Sequence, residues 1–207
     1  MAVIHQTTLT PSKLELIAAW LPGRQWYRGT TPQLSKAGGF RLDDADGAVG
    51  IEFLLLRDES ETGSVLYSVP LTYRGVPIPG GDGALLGTAE HGVLGRRWIY
   101  DGASDPVAVG AVLDLVAGRV SAQAQHHSDS VDTSVAVRQA KLPSTGDEMR
   151  GAVDDETGTD VCVGGIVLRF SRRPVAPTPG VVGSVAAPVA SADQEWGLVE
   201  VVRAVAG

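Results

Sequence analysis

Residues 49–75, VGIEFLLLRDESETGSVLYSVPLTYRG, give the clearest prediction of the fold. Its first part, 49–57, is rich in β-forming residues, and the leucines at its far end make both faces of a strand apolar, which is typical of an interior strand. Its second part, 64–75, alternates apolar and polar residues, as a strand with one face in a core does. Pro70 cannot donate a hydrogen bond to a neighbouring strand, so this strand is expected at an edge or with a local irregularity. The polar turn between the two parts predicts an antiparallel hairpin.

Two helices are predicted, one on each side of this hairpin in the sequence. The first is expected to take Thr10 as its N-cap and to end at Pro22. The second is expected to begin after the N-cap Asp105 and to end at Gly118. Each helix carries an apolar stripe at helical spacing, and such a stripe needs a sheet to cover it.

The sequence after the second helix is less regular. Further strands are predicted at 119–125, 133–140 and 161–171. The acidic segment 142–160 has few large apolar residues and is expected to be a flexible, exposed loop, and the Pro/Ala/Gly-rich segment 172–193 is expected to be irregular. Residues 191–207 fit either a helix or a strand, and the strand is preferred.

The composition argues against several classes of function. The net charge of −7 argues against nucleic acid or an anionic membrane as a partner. No apolar run approaches the roughly 20 residues of a membrane-spanning helix, and the N-terminus lacks the pattern of a signal peptide, so a cytoplasmic protein is expected. The single cysteine, Cys162, lies among valines and is expected to be a buried, inert thiol.

Motifs for metal, nucleotide and nucleophile chemistry are missing from the sequence. The histidines do not have the spacing of metal ligands; they are His5, His91, His126 and His127. No G-x-S-x-G nucleophile elbow occurs, and GGDGALLG at 80–87 lacks the lysine of a P-loop. We therefore predict no catalytic residue, no metal site and no cofactor.

Two clusters of aromatic and arginine side chains are the remaining candidates for a ligand or partner surface. They are RQWYRGT at 24–30 and RRWIYDG at 96–102. Aromatic faces beside arginine and aspartate suit a sugar or a protein partner. In the alternative interpretation the aromatic rings fill the core and the arginines cover its rim. With nearby residues, the candidates are Trp26, Tyr27, Arg28, Tyr73, Arg74, His91, Arg97, Trp98, Tyr100 and Asp101.

Several ordered landmarks carry a family resemblance. They are HQTTLTPSKLELIAAWLP (5–22), QWYRG (25–29), VPLTYRG (69–75) and GTAEHGVLGRRWIYDGASDP (87–106). Over about residues 1–125 the chain resembles the N-terminal cap region of actinobacterial maltokinases and related aminosugar kinases. It is similar to the stand-alone cap-like proteins often labelled 1,4-alpha-glucan branching protein.

The resemblance implies an α+β fold in which a curved antiparallel sheet of cystatin-like topology packs with two helices, followed by additional C-terminal strands. Residues 126–207 then resemble a truncated, degenerate kinase N-lobe. Two segments, SDSVDTSVAV (128–137) and VLRFSRRP (167–174), resemble diverged forms of motifs of that lobe. Arg169 takes the place of a nucleotide-facing lysine there. This is not a conservative replacement, because the planar guanidinium of arginine has a different donor geometry from the compact ammonium group of lysine.

The function implied by the resemblance is a non-catalytic binding or regulatory module linked to maltose, trehalose or α-glucan metabolism. The sequence holds no histidine–aspartate catalytic loop with its downstream asparagine and no metal-holding aspartate motif, so an enzyme is not expected. The partner would be a kinase, an α-glucan-metabolising enzyme or a second copy of the chain. The alternative is a binder or sensor of a sugar or phosphosugar that uses the concave face of the sheet. An enzyme of unrecognised mechanism is a third hypothesis.

Overall fold

The computed structural model describes residues 9–61, 63–125, 130–142, 149–176, 178–189 and 192–203, and the fold is α+β. Two helices, α1 (Lys13–Trp20) and α2 (Pro106–Val116), accompany two antiparallel six-stranded sheets. Sheet A, which is strongly curled, contains β1 (Leu9–Thr10), β2 (Leu34–Asp43), β3 (Val49–Glu61), β4 (Gly63–Arg74), β5 (Leu85–His91) and β6 (Gly95–Asp101). Sheet B contains β7 (Ala136–Arg138), β8 (Met149–Asp154), β9 (Gly158–Val163), β10 (Ile166–Val175), β11 (Gly183–Val189) and β12 (Ala192–Arg203).

The hairpin predicted from residues 49–75 is confirmed as β3 and β4. Sheet A has the order β1-β5-β6-β4-β3-β2, so β3 is an interior strand as predicted. β4 is interior as well, and not an edge strand. Its pairing with β6 covers only Leu71 to Arg74, so Pro70 lies just past the end of β6. The missing N–H of Pro70 therefore falls where the ladder between these two strands has already ended.

The second helix begins and ends as predicted, whereas the first has a different cap. Asp105 is the N-cap of α2, with Pro106 at the first helical position. The N-cap of α1 is Ser12, which forms a capping box with Glu15, and not Thr10. Thr10 is unavailable because it is extended in β1, where it pairs with β5.

Sheet A is covered by apolar residues on both faces. A smaller core lies between one face and α1, and it includes Ile17, Leu54 and Val69. A larger core lies between the other face of sheet A, α2 and sheet B. In the larger core the rings of Phe40 and Phe53 stack with centroids 4.7 Å apart, and Phe170 of sheet B lies 6.5 Å beyond Phe53. The two sheets therefore share one hydrophobic core.

Three sequence predictions for the C-terminal half are wrong. Segment 142–160 contains β8 and the start of β9 and not a long loop, although 143–148 lie outside the described residues. Segment 161–171 is not one strand but a hairpin, since Gly164 and Gly165, both with positive φ, form the turn between β9 and β10. Segment 172–193, expected to be irregular, contains the end of β10 and all of β11.

The remaining strand predictions have mixed outcomes. Residues 119–125 form only isolated bridges through Gln123, and 133–140 contain the three-residue strand β7. The preference for a strand near the C-terminus is confirmed by β12, which lies between β11 and β10 in sheet B, whose order is β7-β11-β12-β10-β9-β8. The cystatin-like topology and the division at residue 125 stay predictions.

Candidate functional site

The aromatic residues of the first cluster belong to the core. Trp26 is fully buried, and its ring lies 5.6 Å from that of Trp20 and 6.0 Å from that of Tyr67. Tyr27 is also buried, and its ring lies 5.4 Å from that of Tyr67. The interpretation that these rings fill the core is therefore correct for both residues, and neither presents a surface to a ligand.

Tyr27 also takes part in a buried polar network around Asp58. Its hydroxyl donates to Oδ2 of Asp58 at 2.9 Å, and the backbone N–H of Gln33 donates to Oδ1 at 2.9 Å. Burial raises the pKa of the Tyr27 hydroxyl to about 12. Burial also opposes ionisation of Asp58, but the hydrogen bonds from Gln33, Tyr27 and Ser60 outweigh it and lower the pKa of this carboxyl.

Arg28 is the exposed member of the first cluster. Its backbone N–H donates to the hydroxyl of Tyr67 at 3.1 Å, which fixes the chain where it leaves the core. Its guanidinium reaches Glu156 of the β8–β9 turn at 3.2 Å. Both side chains are largely exposed, so this ion pair contributes little to stability.

The second cluster is divided between the two faces of sheet A. On the α1 side, the hydroxyl of Tyr73 donates to Glu52 at 2.8 Å, and Lys13 bonds to the same carboxylate oxygen at 2.6 Å. Burial, followed by the adjacent Glu52, raises the pKa of Tyr73 well above its usual range. On the α2 side, Arg74 makes two bonds of 2.6 Å to Asp105. Tyr73 and Arg74 are therefore adjacent in sequence but belong to separate networks.

Tyr100 and Asp101 are buried and have structural partners. The hydroxyl of Tyr100 accepts the backbone N–H of Ile78 at 3.0 Å. Asp101 pairs with Arg172 of sheet B, which is fully buried. The guanidinium of Arg172 also lies 5.0 Å from the centre of the Trp26 ring. This pair links sheet A to sheet B.

Two further candidates, His91 and Arg97, contact the turn between β5 and β6 at one end of sheet A. Nδ1 of His91 accepts the backbone N–H groups of Val93 and Leu94 in the turn between β5 and β6. Arg97 donates to the carbonyl of Leu94 at 2.6 Å. A Cβ on Gly75, just after β4, would lie 2.6 Å from Arg97 Nη1, so the guanidinium joins the β4 exit to the β5–β6 turn.

Three apolar side chains are exposed at this end of the sheet. The exposed fractions are 69% for Val76, 62% for Val93 and 46% for Leu94. Together with Arg97 they form a surface that we call the apolar tip. Sequence reasoning named Arg97 and missed the three apolar residues, because single exposed apolar residues are common and only the fold joins the β4 exit to the turn that carries Val93 and Leu94.

Trp98 is half-buried and belongs to neither core. It pairs across the ladder with Arg74 on β4 and with Thr88 on β5. The alternative interpretation, in which Trp98 fills the core, is therefore wrong for this residue, although it holds for Trp26. The physical reason is that Trp98 lies opposite polar residues on both neighbouring strands.

Sequence reasoning also missed a cleft of about 790 Å³ between the outer end of the β3–β4 hairpin and sheet B. We call it the arginine cleft; its lining includes Arg57, Leu66, Arg169, Arg173, Trp196 and Glu200. The sequence carries one signal for it. Arg169, Ser171 and Arg173 alternate along β10 and therefore share the face of the strand opposite Leu168 and Phe170, which are buried.

The arginines of the cleft are held by defined partners. Nη1 of Arg169 lies 2.6 Å from Asp155 and 3.0 Å from Asp160, and Nη2 donates to Thr157. The Arg169 guanidinium holds the pKa of Asp155 well below its usual range. Arg173 donates through Nη2 to the carbonyl of Glu156 at 2.9 Å. These contacts pre-position the guanidinium groups on the wall of the cleft.

Cys162 and His91 do not line the arginine cleft. Cys162 is exposed on β9 and not buried, because the two valines beside it face the core and it faces outward. Among the described residues, no three His, Cys, Asp or Glu side chains are placed to hold a metal ion. His5, His126 and His127 lie outside the described residues. In the described part of the chain, no helix is long and apolar enough to cross a membrane.

Comparison with known families identifies part of this architecture. Residues 20–105 match the family model of the maltokinase N-terminal cap domain, which confirms the resemblance over those residues. The match runs from the end of α1 to the N-cap of α2, and it includes all ten candidate residues. The apolar tip lies wholly within it, whereas the arginine cleft has one wall inside it and one wall outside.

Proposed function

We propose that this chain is a non-catalytic cytoplasmic binding module of maltose, trehalose or α-glucan metabolism, and that it docks onto an enzyme through the apolar tip. The match to the maltokinase cap domain supports the metabolic assignment. The observation that carries the proposal is the apolar tip itself, because the exposed Val93 and Leu94 lie in one turn, and Arg97 links that turn to Gly75, which precedes the exposed Val76.

The chemistry of the apolar tip suits a protein partner. The buried centre of a protein interface is more apolar than the rest of the surface, and arginine is enriched in interfaces. Arg97 borders the apolar residues through its bond to the carbonyl of Leu94, and the neighbouring Arg96 is exposed and pairs with Glu90 at 3.1 Å. The complementary surface is an apolar depression with an acidic rim, on a kinase or an α-glucan-metabolising enzyme. Neither nucleic acid nor a membrane is proposed as a partner, since the chain carries a net charge of −7.

The non-catalytic part of the proposal rests on the sequence and on the roles of its candidates. The 207 residues hold no histidine–aspartate catalytic loop with a following asparagine. Most candidate side chains already have structural partners, as Arg74 has in Asp105 and Asp101 has in Arg172. We expect the purified chain alone to transfer no phosphoryl group from ATP to maltose.

The docking surface is tested by site-specific crosslinking in the native cell. A photo-crosslinking amino acid is placed at position 94 in the apolar tip, and at position 202 as the control. Val202 is a suitable control because it is 45% exposed, close to the 46% of Leu94, and lies on sheet B. We expect a sugar kinase or an α-glucan enzyme to be crosslinked at 94 and not at 202, and Leu94→Asp to abolish its binding.

Three outcomes contradict this proposal. Equal capture at 94 and 202 shows that the apolar tip has no special role. If only a second copy of the chain is captured, the apolar tip mediates self-association and not docking onto an enzyme. Unchanged affinity of the captured enzyme for the Leu94→Asp variant places the interface elsewhere.

A second candidate function is the binding or sensing of a small sugar or phosphosugar. The observation that favours it is the arginine cleft, which is larger than an ordered water site and combines charged, hydroxyl and aromatic groups. This function is independent of the apolar tip, because the two surfaces share no residue. A thermal-shift comparison of sugars and sugar phosphates tests it, since a ligand at 100 times its Kd adds about 2.7 kcal/mol to the stability.

A further inference from the structure

We infer that the arginine cleft binds a neutral saccharide of two or more rings, with one ring packed on Trp196. The inference rests on the second proposed function, small-molecule binding, and narrows it to an uncharged sugar. It does not depend on docking at the apolar tip. The cleft lies where the outer end of the β3–β4 hairpin meets sheet B, so both sheets contribute to its walls.

The cleft has no excess of either charge. Its lining holds three arginines, which are Arg57, Arg169 and Arg173. Three carboxylates match them in number: Glu200 on the lining, and Asp155 and Asp160, which pair with Arg169 at 2.6 Å and 3.0 Å. A ligand with a net charge would lose hydration there without a net attraction in return, whereas a neutral, hydroxyl-rich ligand would not. The charge balance therefore favours an uncharged ligand.

Apolar groups occupy one part of the cleft. Trp196 is half-buried, and it packs against the larger core and also lines the cleft. Leu66 of the hairpin and Val189 of β11 line the cleft as well. The C–H face of a pyranose is apolar and can pack on an aromatic ring, while the hydroxyl groups around its edge stay polar. Trp196, held by the core, is therefore a suitable platform for one sugar ring.

Hydrogen-bonding groups of both kinds line the rest of the cleft. Oε1 of Glu200 accepts the backbone N–H of Thr178 at 2.9 Å, which orients a carboxylate that can still accept further bonds. Arg173 donates through Nη2 to the carbonyl of Glu156 at 2.9 Å, which uses one of the five N–H groups of a guanidinium. The hydroxyl groups of Ser171 and Thr178 can each donate and accept. A sugar hydroxyl also donates and accepts, so it matches this mixture better than a pure acceptor such as phosphate does.

The cleft is larger than one sugar ring needs. Its volume of about 790 Å³ lies in the upper part of the range of roughly 300–1,000 Å³ that is usual for sites of small organic ligands. Its lining extends from Arg57 and Leu66 on the hairpin to Trp196 on sheet B. A single hexose would leave part of this space empty. We therefore expect the affinity to rise with the number of sugar rings.

Calorimetric titration of the full chain tests the inference, with maltotriose as the probe and with glucose, glucose 6-phosphate and adenosine for comparison. We expect maltotriose to bind about tenfold more tightly than glucose or better, because only the longer sugar fills the cleft. Glucose 6-phosphate should bind no more tightly than glucose. The affinity for maltotriose should be the same in about 50 mM and about 500 mM salt, because salt screens interactions between charges and the ligand has none.

Two substitutions locate the ligand in the cleft. Trp196→Phe keeps an aromatic ring against the core but offers a smaller surface, and it should weaken maltotriose binding by about threefold or more. Ser171→Phe places a bulky ring in the cleft and should abolish binding. The matched controls lie outside the cleft: Trp98→Phe, at a half-buried tryptophan, and Val153→Phe, at an exposed residue of β8. Both controls should leave the affinity unchanged.

Tryptophan fluorescence gives a second measurement of the position of the ligand. Saturating maltotriose should change the emission of the native chain and of Trp98→Phe, but not that of Trp196→Phe. Thermal melts of every variant show that each is folded. Because Trp196→Phe and Ser171→Phe alter different strands, the test stays valid if one of them is unstable.

Several results overturn the inference, and they are distinguishable from failure of the function on which it rests. If glucose 6-phosphate binds more tightly than maltotriose, or if high salt weakens binding, small-molecule binding stands but the assignment of a neutral ligand is wrong. If adenosine binds more tightly than maltotriose, the ring on Trp196 is a base and not a sugar. If Trp196→Phe and Ser171→Phe both bind maltotriose as the native chain does, the sugar site lies outside the cleft. If none of these probes binds at millimolar concentration, both the inference and the small-molecule function fall.

Discussion

At the scale of single residues, Asp58 shows how a buried carboxylate organises a turn of the chain. It is 3% exposed and accepts hydrogen bonds from the Tyr27 hydroxyl and from the backbone N–H groups of Gln33 and Ser60. These donors join the segment after α1 to the start of β2 and to the β3–β4 hairpin. The ionised form of Asp58 is therefore part of the folded structure.

Asp58→Asn is expected to lower the free energy of unfolding at pH 7 by roughly 2 kcal/mol, as for hydrogen bonds to a charged group. The pKa of Asp58 is lowered in the folded state, so its contribution is fully present above the ordinary aspartate pKa of about 3.9. The contribution is lost as the pH falls through the folded-state pKa. Urea unfolding of both proteins between pH 7 and pH 2.5 should show their stabilities converging in acid.

The matched control for this experiment is Asp82→Asn, at an exposed aspartate, which should change stability by less than about 0.5 kcal/mol at any pH. A difference between Asp58→Asn and the native chain that stays constant down to pH 2.5 contradicts an ionised role for Asp58.

The two tryptophan–arginine clusters show what the sequence can and cannot predict about single residues. Trp26 and Trp98 have similar neighbours in sequence, yet only Trp26 is fully buried. The difference arises because Arg172 of sheet B lies against the Trp26 ring, whereas Trp98 pairs with Arg74 and Thr88. Contacts made by a distant segment cannot be read from a local pattern, so the two rings could not be told apart.

At the scale of elements, Asp105 joins α2 to sheet A. Its side chain is fully buried, caps the helix through the backbone N–H of Val107, and accepts bonds from Thr72 and from Nε and Nη2 of Arg74. One carboxylate therefore fixes the start of the helix and the end of β4 at the same time.

Asp105→Ala is expected to lower the free energy of unfolding by at least about 3 kcal/mol. The loss combines an N-cap, worth about 1 kcal/mol, with the larger cost of leaving Arg74 partly buried and unpaired. Asp105→Asn keeps a capping oxygen and should lose less. Urea unfolding at pH 7 measures the loss of stability in both variants. If Asp105→Ala lowers the free energy of unfolding no more than Asp82→Ala, a substitution at an exposed site, Asp105 does not have this role.

Elements with local signals were predictable, and elements without them were not. The second helix carries its cap and first proline in adjacent residues, and the hairpin β3–β4 has clear patterning and a polar turn. Strand β8 is an edge strand whose side chains are exposed or half-buried. Its sequence therefore lacks the alternation of apolar and polar residues that predicts a strand, and it resembles a loop. The arginine cleft joins residues from 57 to 200 and only its alternating arginines on β10 were visible locally.

At the scale of the whole molecule, the larger core and the buried Asp101–Arg172 pair make the two sheets interdependent. The face of sheet A that carries Phe40, Phe53 and Leu42 is covered by α2 and sheet B. Arg172 is fully buried and has its only carboxylate partner among the described residues in sheet A. Separating the sheets would expose apolar rings and leave a buried charge unpaired.

A fragment of residues 1–125 is therefore expected to lack cooperative unfolding and to bind the dye ANS, which marks exposed apolar surface. Adding the fragment 126–207 should restore a cooperative thermal transition and displace the dye. Circular dichroism in the near ultraviolet and dye fluorescence measure this. If residues 1–125 alone unfold cooperatively with a native near-ultraviolet spectrum, the sheets are independent domains.

The position of β12 has a consequence for folding during synthesis on the ribosome. β12 pairs with both β10 and β11, yet both are synthesised before it. Until residues 192–203 have left the ribosome, β10 and β11 lack the strand that pairs with both of them. Sheet B is then incomplete and does not fully cover the aromatic face of sheet A. The nascent chain therefore passes through a stage in which a large apolar surface is exposed and prone to aggregation. Chaperones that bind apolar segments have their greatest effect on the yield of folded protein at this stage.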